Sequence, residues 1–163
     1  MKKTLLALIL VVFALNVSAQ FEKGTKYANL SLTGFDMSYQ KNAKFHFGIE
    51  AHGGYFLQDS WMLQGRFGYN HQGGADANTF DLGAGARYYF KQNGIFLGCG
   101  LMYEFDGVND FKNNYINLTP EVGYCFYINH CLSIEPVVYY NLCLNKFSDG
   151  SKVGLRVGVG YYF

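Results

Sequence analysis

After its first 17 residues this 163-residue chain has no apolar run approaching the roughly 20 residues a membrane helix requires, which excludes a helical membrane protein. It also lacks a surplus of positive charge: 13 Lys and Arg stand against 12 Asp and Glu, so no basic face for nucleic acid is implied. Proline occurs twice and tryptophan once. None of the four cysteines falls into a spacing typical of a zinc site. Neither GxSxG nor HExxH is present, which removes the commonest sequence signatures of a serine hydrolase or a zinc protease.

What the chain does have is 20 Gly, 14 Tyr and 15 Phe. Glycine and aromatic residues are poor helix formers, and aromatic residues favour strands. The first residues read differently. Lys2 and Lys3 precede an apolar stretch from Leu5 to Val17, and Val17-Ser18-Ala19 supplies small residues before Gln20. This is the pattern of a secretory signal peptide over residues 1–19, with an h-region too short to span a bilayer. Removing Lys2 and Lys3 changes the formal charge from +1 to −1. The remaining residues, 20–163, are expected to form one domain.

The C-terminal stretch shows the organising pattern most clearly. Val153, Leu155, Val157, Val159, Tyr161 and Phe163 share one phase of a strand, and Gly154, Arg156, Gly158, Gly160 and Tyr162 share the other. A continuous oily face backed by small residues around one charge suits a wall with lipid outside and a narrow interior. A membrane-spanning chain without membrane helices must close into a barrel, because open sheet edges cannot be satisfied in lipid.

The same alternation recurs along the chain and predicts eight strands. The first runs from about Tyr27 to Tyr39 and is the least regular. The others are Lys44 to Leu57, Trp61 to the Gly-rich loop at His71, Thr79 to Phe90, Ile95 to Phe105, Tyr115 to Phe126, Leu132 to Leu144, and Lys152 to the end. Short turns after strands two, four and six are expected on one side of the membrane, and loops around residues 40–43, 70–78, 106–113 and 145–151 on the other. Pro120 and Pro136 remove ladder donors from strands six and seven, so a bulge or local break is expected at each. Outward aromatic residues gather at the turn ends (Tyr55, Trp61, Tyr88, Phe90, Phe126, Tyr161, Phe163) and the loop ends (Phe45, Tyr69, Phe80, Tyr103, Phe105, Tyr140). Two aromatic girdles around an aliphatic band are what two membrane interfaces favour.

All three arginines, Arg66, Arg87 and Arg156, fall on the inward phase, as do Glu50, Glu104, Glu121 and Glu135. Distances from the nearest turn place Glu50, Arg66, Arg87, Glu121, Glu135 and Arg156 at one level near mid-barrel, three positive charges against three negative. Charges buried there require partners, and arginine can bridge two carboxylates with its planar fork. The network is read as a structural plug, with a rearranging gate as the alternative. His46 and His52 share a face with Glu50, but about 20 Å separates them at roughly 3.3 Å per residue, too far for one ion. No metal site and no cofactor is expected. Cys125 and Cys131 flank a proposed tight turn in matching phases; a disulfide is one reading and small buried thiols the other.

The signal, the eight amphipathic strands and the terminal Tyr161-Tyr162-Phe163 together resemble the small eight-stranded outer-membrane β-barrel proteins of the OmpX and OmpA-barrel type. The resemblance covers the whole of residues 20–163. It implies an all-β, antiparallel, up-and-down transmembrane barrel in a Gram-negative outer membrane. It also implies that Tyr161 and Phe163 form a signal read by the barrel-assembly machinery. Outer-membrane lipids are then the surroundings of a barrel expected to be a monomer, with no surface ligand specified. The leading functional expectation is a non-enzymatic envelope protein with a structural or surface-interaction role. A small pore for ions or solutes and a lipid-modifying enzyme are the alternatives; His71, Asp76, Ser148 and Asp149 supply an active site only if the loops bring them together.

Overall fold

The computed structural model describes residues 21–33, 37–38, 46–72, 77–90, 93–106, 113–145 and 151–163. The expected signal peptide, all of the expected outer loop 40–43, residues 73–76 of the loop 70–78, and most of the loops 106–113 and 145–151 lie outside the described residues. The described residues form ten strand segments: β1 (Lys26–Thr33), β2 (Met37–Ser38), β3 (His46–Gln58), β4 (Trp61–Gln72), β5 (Ala77–Tyr89), β6 (Ile95–Asp106), β7 (Asn113–Tyr124), β8 (Phe126–Tyr127), β9 (Leu132–Cys143) and β10 (Lys152–Tyr162). β2 continues the stave begun by β1, since both pair with β10, and β8 continues that of β7, since both pair with β9. The result is eight antiparallel staves. Pairing of β10 with both β9 and β1 closes the cylinder and leaves no sheet edge exposed to lipid.

Period-two alternation decides which face each side chain occupies. On β10, Arg156 is 0% exposed while its neighbours Leu155 and Val157 are 38% and 41% exposed. Elsewhere the exposed set is Leu30, Leu32, Leu63, Leu82, Leu97, Leu101, Val122 and Val138, an aliphatic band with its apolar side outward. Aromatic pairs flank that band. Trp61–Tyr88, Tyr88–Phe90, Tyr124–Phe126 and Tyr161–Phe163 cluster at the short-turn end, with Tyr69–Phe80 and Tyr103–Phe105 at the other.

The short turns fall after β3, β5 and β8. Ser60 takes a left-handed conformation at φ 68°, and Gly94 one at φ 71°. The first stave is irregular, as its sequence suggested. Thr33 pairs with Arg156 and Met37 with Val153, so four residues of this stave span three of β10. The strand ladder at β3–β4 also shifts, between Phe56 and Gln58.

Both prolines lie in one seam, between the β7–β8 stave and β9. Pairing along it stops after Leu118↔Leu142, resumes at Glu121↔Tyr139, stops after Gly123↔Val137 and resumes at Phe126↔Ile134, with the register unchanged throughout. Pro120 sits in the first gap and Pro136 opposite the second. On their other sides both pair normally, Pro120 with Cys99 and Pro136 with Val157. Each proline therefore makes a local break on the side where its missing N–H would have donated.

Candidate functional site

The inward face of the cylinder has three levels. At the short-turn end it is filled by a cork of Phe21, Phe56, Met62, Tyr89, Phe96, Cys125, Val137 and Tyr162. Phe21 precedes the first strand yet is only 2% exposed, stacked on Tyr89 at 4.4 Å and edge-on to Tyr162 at 6.2 Å. Its segment is tied to the β3–β4 turn. Ser60 N–H donates to the Phe21 carbonyl at 2.7 Å, Gly24 N–H to the Phe56 carbonyl at 2.9 Å, and Lys23 N–H to the Asp59 carboxylate at 3.0 Å.

Above the cork lies the charged array. Arg87 donates from Nε to Glu121 Oε1 at 2.6 Å and from Nη1 to Glu135 Oε2 at 3.4 Å. Arg156 donates from Nη1 to Glu50 Oε2 at 2.9 Å and from Nη2 to Glu121 Oε2. Four polar side chains add to these pairs. Glu135 accepts from the hydroxyls of Tyr27, Ser133 and Tyr162 at 2.6, 2.7 and 2.8 Å, and Gln64 Nε2 donates to Glu121 Oε1 at 3.1 Å. His52 Nε2 lies 3.2 Å from Glu50 Oε2. Aromatic faces cover the guanidinium groups: Phe96 is 4.5 Å from that of Arg87, and Tyr139 is 5.3 Å from that of Arg156. Buried ions in such a place cost several kcal/mol each unless hydrogen-bonded on most sides. The carboxylates here are.

Two glycines make room for the array. A Cβ at Gly98 would stand 2.7 Å from Glu121 and 3.1 Å from Arg87, and one at Gly160 would stand 2.3 Å from Glu135.

Five of the inward charges anticipated from spacing thus meet: Glu50, Arg87, Glu121, Glu135 and Arg156. Arg66 is buried in the same field but, among the described residues, has no carboxylate within 4 Å. Glu104 does not join them. It lies one level further out, where Asn117 Nδ2 donates to it at 2.9 Å. The hydroxyls of Tyr27, Ser133 and Tyr162 were not singled out as ligands by the sequence, although Tyr162 already fell on the inward phase. Phe21 has no strand periodicity to reveal it.

Cys125 and Cys131 are both free thiols, so the disulfide reading is corrected. Phe126 pairs with Ile134 and Tyr127 with Ser133, a register that carries Cys125 toward the level of Glu135 rather than Cys131. Cys125 turns inward, its Sγ 3.4 Å from the Tyr162 hydroxyl. Among the described residues no three His, Cys, Asp or Glu side chains converge as a metal site would require. The side chains of His46 and His71, and residues Asp76, Ser148 and Asp149, lie outside the described residues.

The outermost level is polar. Asn70 Nδ2 donates to Asp81 Oδ2 at 2.7 Å, Thr33 Oγ1 to Asn70 Oδ1 at 3.1 Å, and Thr119 Oγ1 to Asn141 Oδ1 at 3.0 Å. The last of these bridges the ladder gap beside Pro120 from within the barrel.

A family model described as the outer membrane protein beta-barrel domain matches residues 4–163. Among solved structures, Neisserial surface protein A is 18% identical, with 86% of this chain and 100% of that one covered and a TM-score of 0.66. The N-terminal β-barrel domain of OprF from Pseudomonas aeruginosa is 17% identical, covering 86% and 98%, with a TM-score of 0.65. Ail, the attachment invasion locus protein of Yersinia pestis, in complex with the heparin analogue sucrose octasulfate, is 18% identical, covering 86% and 99%, with a TM-score of 0.57. At these identities the likeness is one of fold. No curated protein matches.

Proposed function

From the premise that this chain belongs to the outer membrane protein beta-barrel domain family, and so is an integral protein of the Gram-negative outer membrane, we propose that it is a non-conducting, non-catalytic envelope barrel. Its work is done at the outer surface, as a structural or surface-interaction component. The observation that carries this reading is the filling of the interior on two successive levels. Arg87 and Arg156 are 1% and 0% exposed within their carboxylates, and the aromatic cork closes the space beneath them. An eight-stranded cylinder is just wide enough for side chains to fill it, and such a filling leaves the rim and loops as the surface available to other molecules. A sulfated sugar on the similarly folded Ail shows the kind of ligand that a small barrel can hold.

The test is electrical. The mature barrel, refolded in detergent and checked by its heat-dependent gel shift, is inserted in a planar bilayer. Silence is the expected result. Discrete, reproducible conductance steps that change in the Arg87→Ala variant would replace this reading with that of a small pore gated by the charged array.

A further inference from the structure

Residues 21–23 are attached to the barrel differently from the chain that follows them. From Lys26 onward the first stave is laced on both sides: Lys26 pairs with Tyr55 on β3, and its N–H and carbonyl exchange hydrogen bonds with Phe163 at 2.7 and 3.0 Å. Before it the chain turns away from the wall. Thr25 N–H donates to the Glu22 carbonyl at 3.2 Å, and Gly24, third in that turn, has φ 96°, the left-handed value that a type II turn requires there. The turn carries Phe21 under the cylinder. Its ring lies 4.4 to 6.2 Å from those of Phe56, Tyr89, Tyr127 and Tyr162, which stand on β3, β5, β8 and β10, so one side chain spans the mouth.

What holds this arm is local. Its far end is fixed by the Phe21 ring and by the Ser60 N–H bond to the Phe21 carbonyl, and its middle by the Lys23 N–H bond to the Asp59 carboxylate at an exposed position. None of the register pairs of β1 and none of the ion pairs of the charged array includes residues 21–23. The residue under the arm is strained. Ser60 is a non-glycine residue at φ 68°, 3% exposed, and its Oγ has no hydrogen-bond partner among the described residues. A buried hydroxyl without a partner carries a desolvation cost that contact with water removes. Swinging out about Gly24 therefore gives up the Phe21 ring and these bonds, rehydrates the Ser60 hydroxyl, and leaves the sheet intact.

We propose that residues 21–23 are a reversible stopper hinged at Gly24. The arm undocks from the closed barrel as a unit and opens the short-turn end of the interior to water as far as Cys125 and Tyr162, while the charged array above stays shut. The array does not depend on the arm. Glu135 keeps the hydroxyls of Tyr27, Ser133 and Tyr162, all carried on staves, and Arg87 and Arg156 keep their carboxylates. The interior thus has one end that opens and one level that does not, which is compatible with an electrically silent barrel.

Amide hydrogen exchange on the refolded mature barrel in micelles, read by NMR in urea below the unfolding midpoint, tests the stopper. Ser60 N–H reports the arm, because its acceptor is the Phe21 carbonyl. Tyr89 N–H, which donates to the Ser60 carbonyl at 2.8 Å, and Lys26 N–H report the wall beside it. In the wild type Ser60 should exchange through an opening that leaves Tyr89 and Lys26 protected. Gly24→Val should speed Ser60 about tenfold or more, because a branched side chain disfavours the left-handed turn, and should leave Tyr89 and Lys26 unchanged. A Cβ at Gly24 meets nothing within 4 Å, so this variant does not disturb the cork by contact. Phe21→Ala should in addition let a small methanethiosulfonate reagent reach Cys125 but not Cys143, which is buried at the loop end of β9. Ser60 exchanging only together with Tyr89 and Lys26, no acceleration in folded Gly24→Val, or a Cys125 that stays protected in folded Phe21→Ala would each overturn the stopper.

Discussion

Glu121 holds Arg87 through one carboxylate oxygen and Arg156 through the other, and so joins two ion pairs from opposite sides of the barrel into one array. Its partners come from β5 and β10, strands that are not neighbours in the sheet. Removing it breaks more than a pair.

Replacing Glu121 with Gln should therefore destabilise the barrel by about 3–5 kcal/mol, because two buried guanidinium groups lose a shared counter-charge. Glu104→Gln, at the half-exposed outer level, should cost much less. Urea unfolding in micelles, followed by tryptophan emission and by gel mobility, compares the two. Equal midpoints would refute the special position of Glu121.

The two buried arginines without and with direct partners should separate in the same assay. Arg87→Met removes a charge on which Glu121, Glu135 and Tyr27 all depend, and a loss of about 3–5 kcal/mol is expected. Arg66→Met leaves every ion pair among the described residues standing and should be close to neutral. A larger loss at Arg66 would mean that its charge, unpaired in direct contact, still holds Glu50 and Glu121 in place.

Glycines on opposite faces should respond in opposite senses. Gly160→Val drives a side chain into Glu135 and Ser133, an overpacking expected to cost about 1–3 kcal/mol. A Cβ at Gly53 or Gly65 would meet nothing within 4 Å, so alanine there should be neutral or stabilising by about 0.5–1 kcal/mol. Melting of the refolded variants decides it.

Thiol accessibility tests the cysteine assignment. A maleimide should label Cys131 in the folded barrel, leave buried Cys125 and Cys143 unmodified until heat or urea opens it, and find no Cys125–Cys131 bridge. Mass shifts read this directly, and a 2 Da difference on reduction would restore the disulfide.

The faces of the strands were legible in the sequence because a period of two ties each residue's parity to one side of the wall. Leu155, Arg156 and Val157 needed nothing more. The partners of the inward residues were not legible, because they depend on how far each strand is staggered against the next. Arg66 and Arg87 look equivalent when counted from their turns, yet the stagger seats only Arg87 among carboxylates. The same cause separates Cys125 from Cys131 and lifts Glu104 out of the array. Phe21 was invisible for another reason: it acts through tertiary packing from a segment without periodicity. The prolines mark interruptions by their chemistry alone, while their convergence on one seam follows only from the strand order.

That convergence bears on elasticity. A cylinder of laced staves resists bending about every joint that is fully laced, and four positions along the joint between the β7–β8 stave and β9 are unlaced on account of Pro120 and Pro136. The wall thus has a hinge line running along its length, bridged from inside by Thr119 and Asn141 near one end. Glu121 and Glu135 stand on the two staves of that line, so when lateral pressure from the bilayer ovalises the barrel, the ion pairs across the interior are what hold the unlaced joint together.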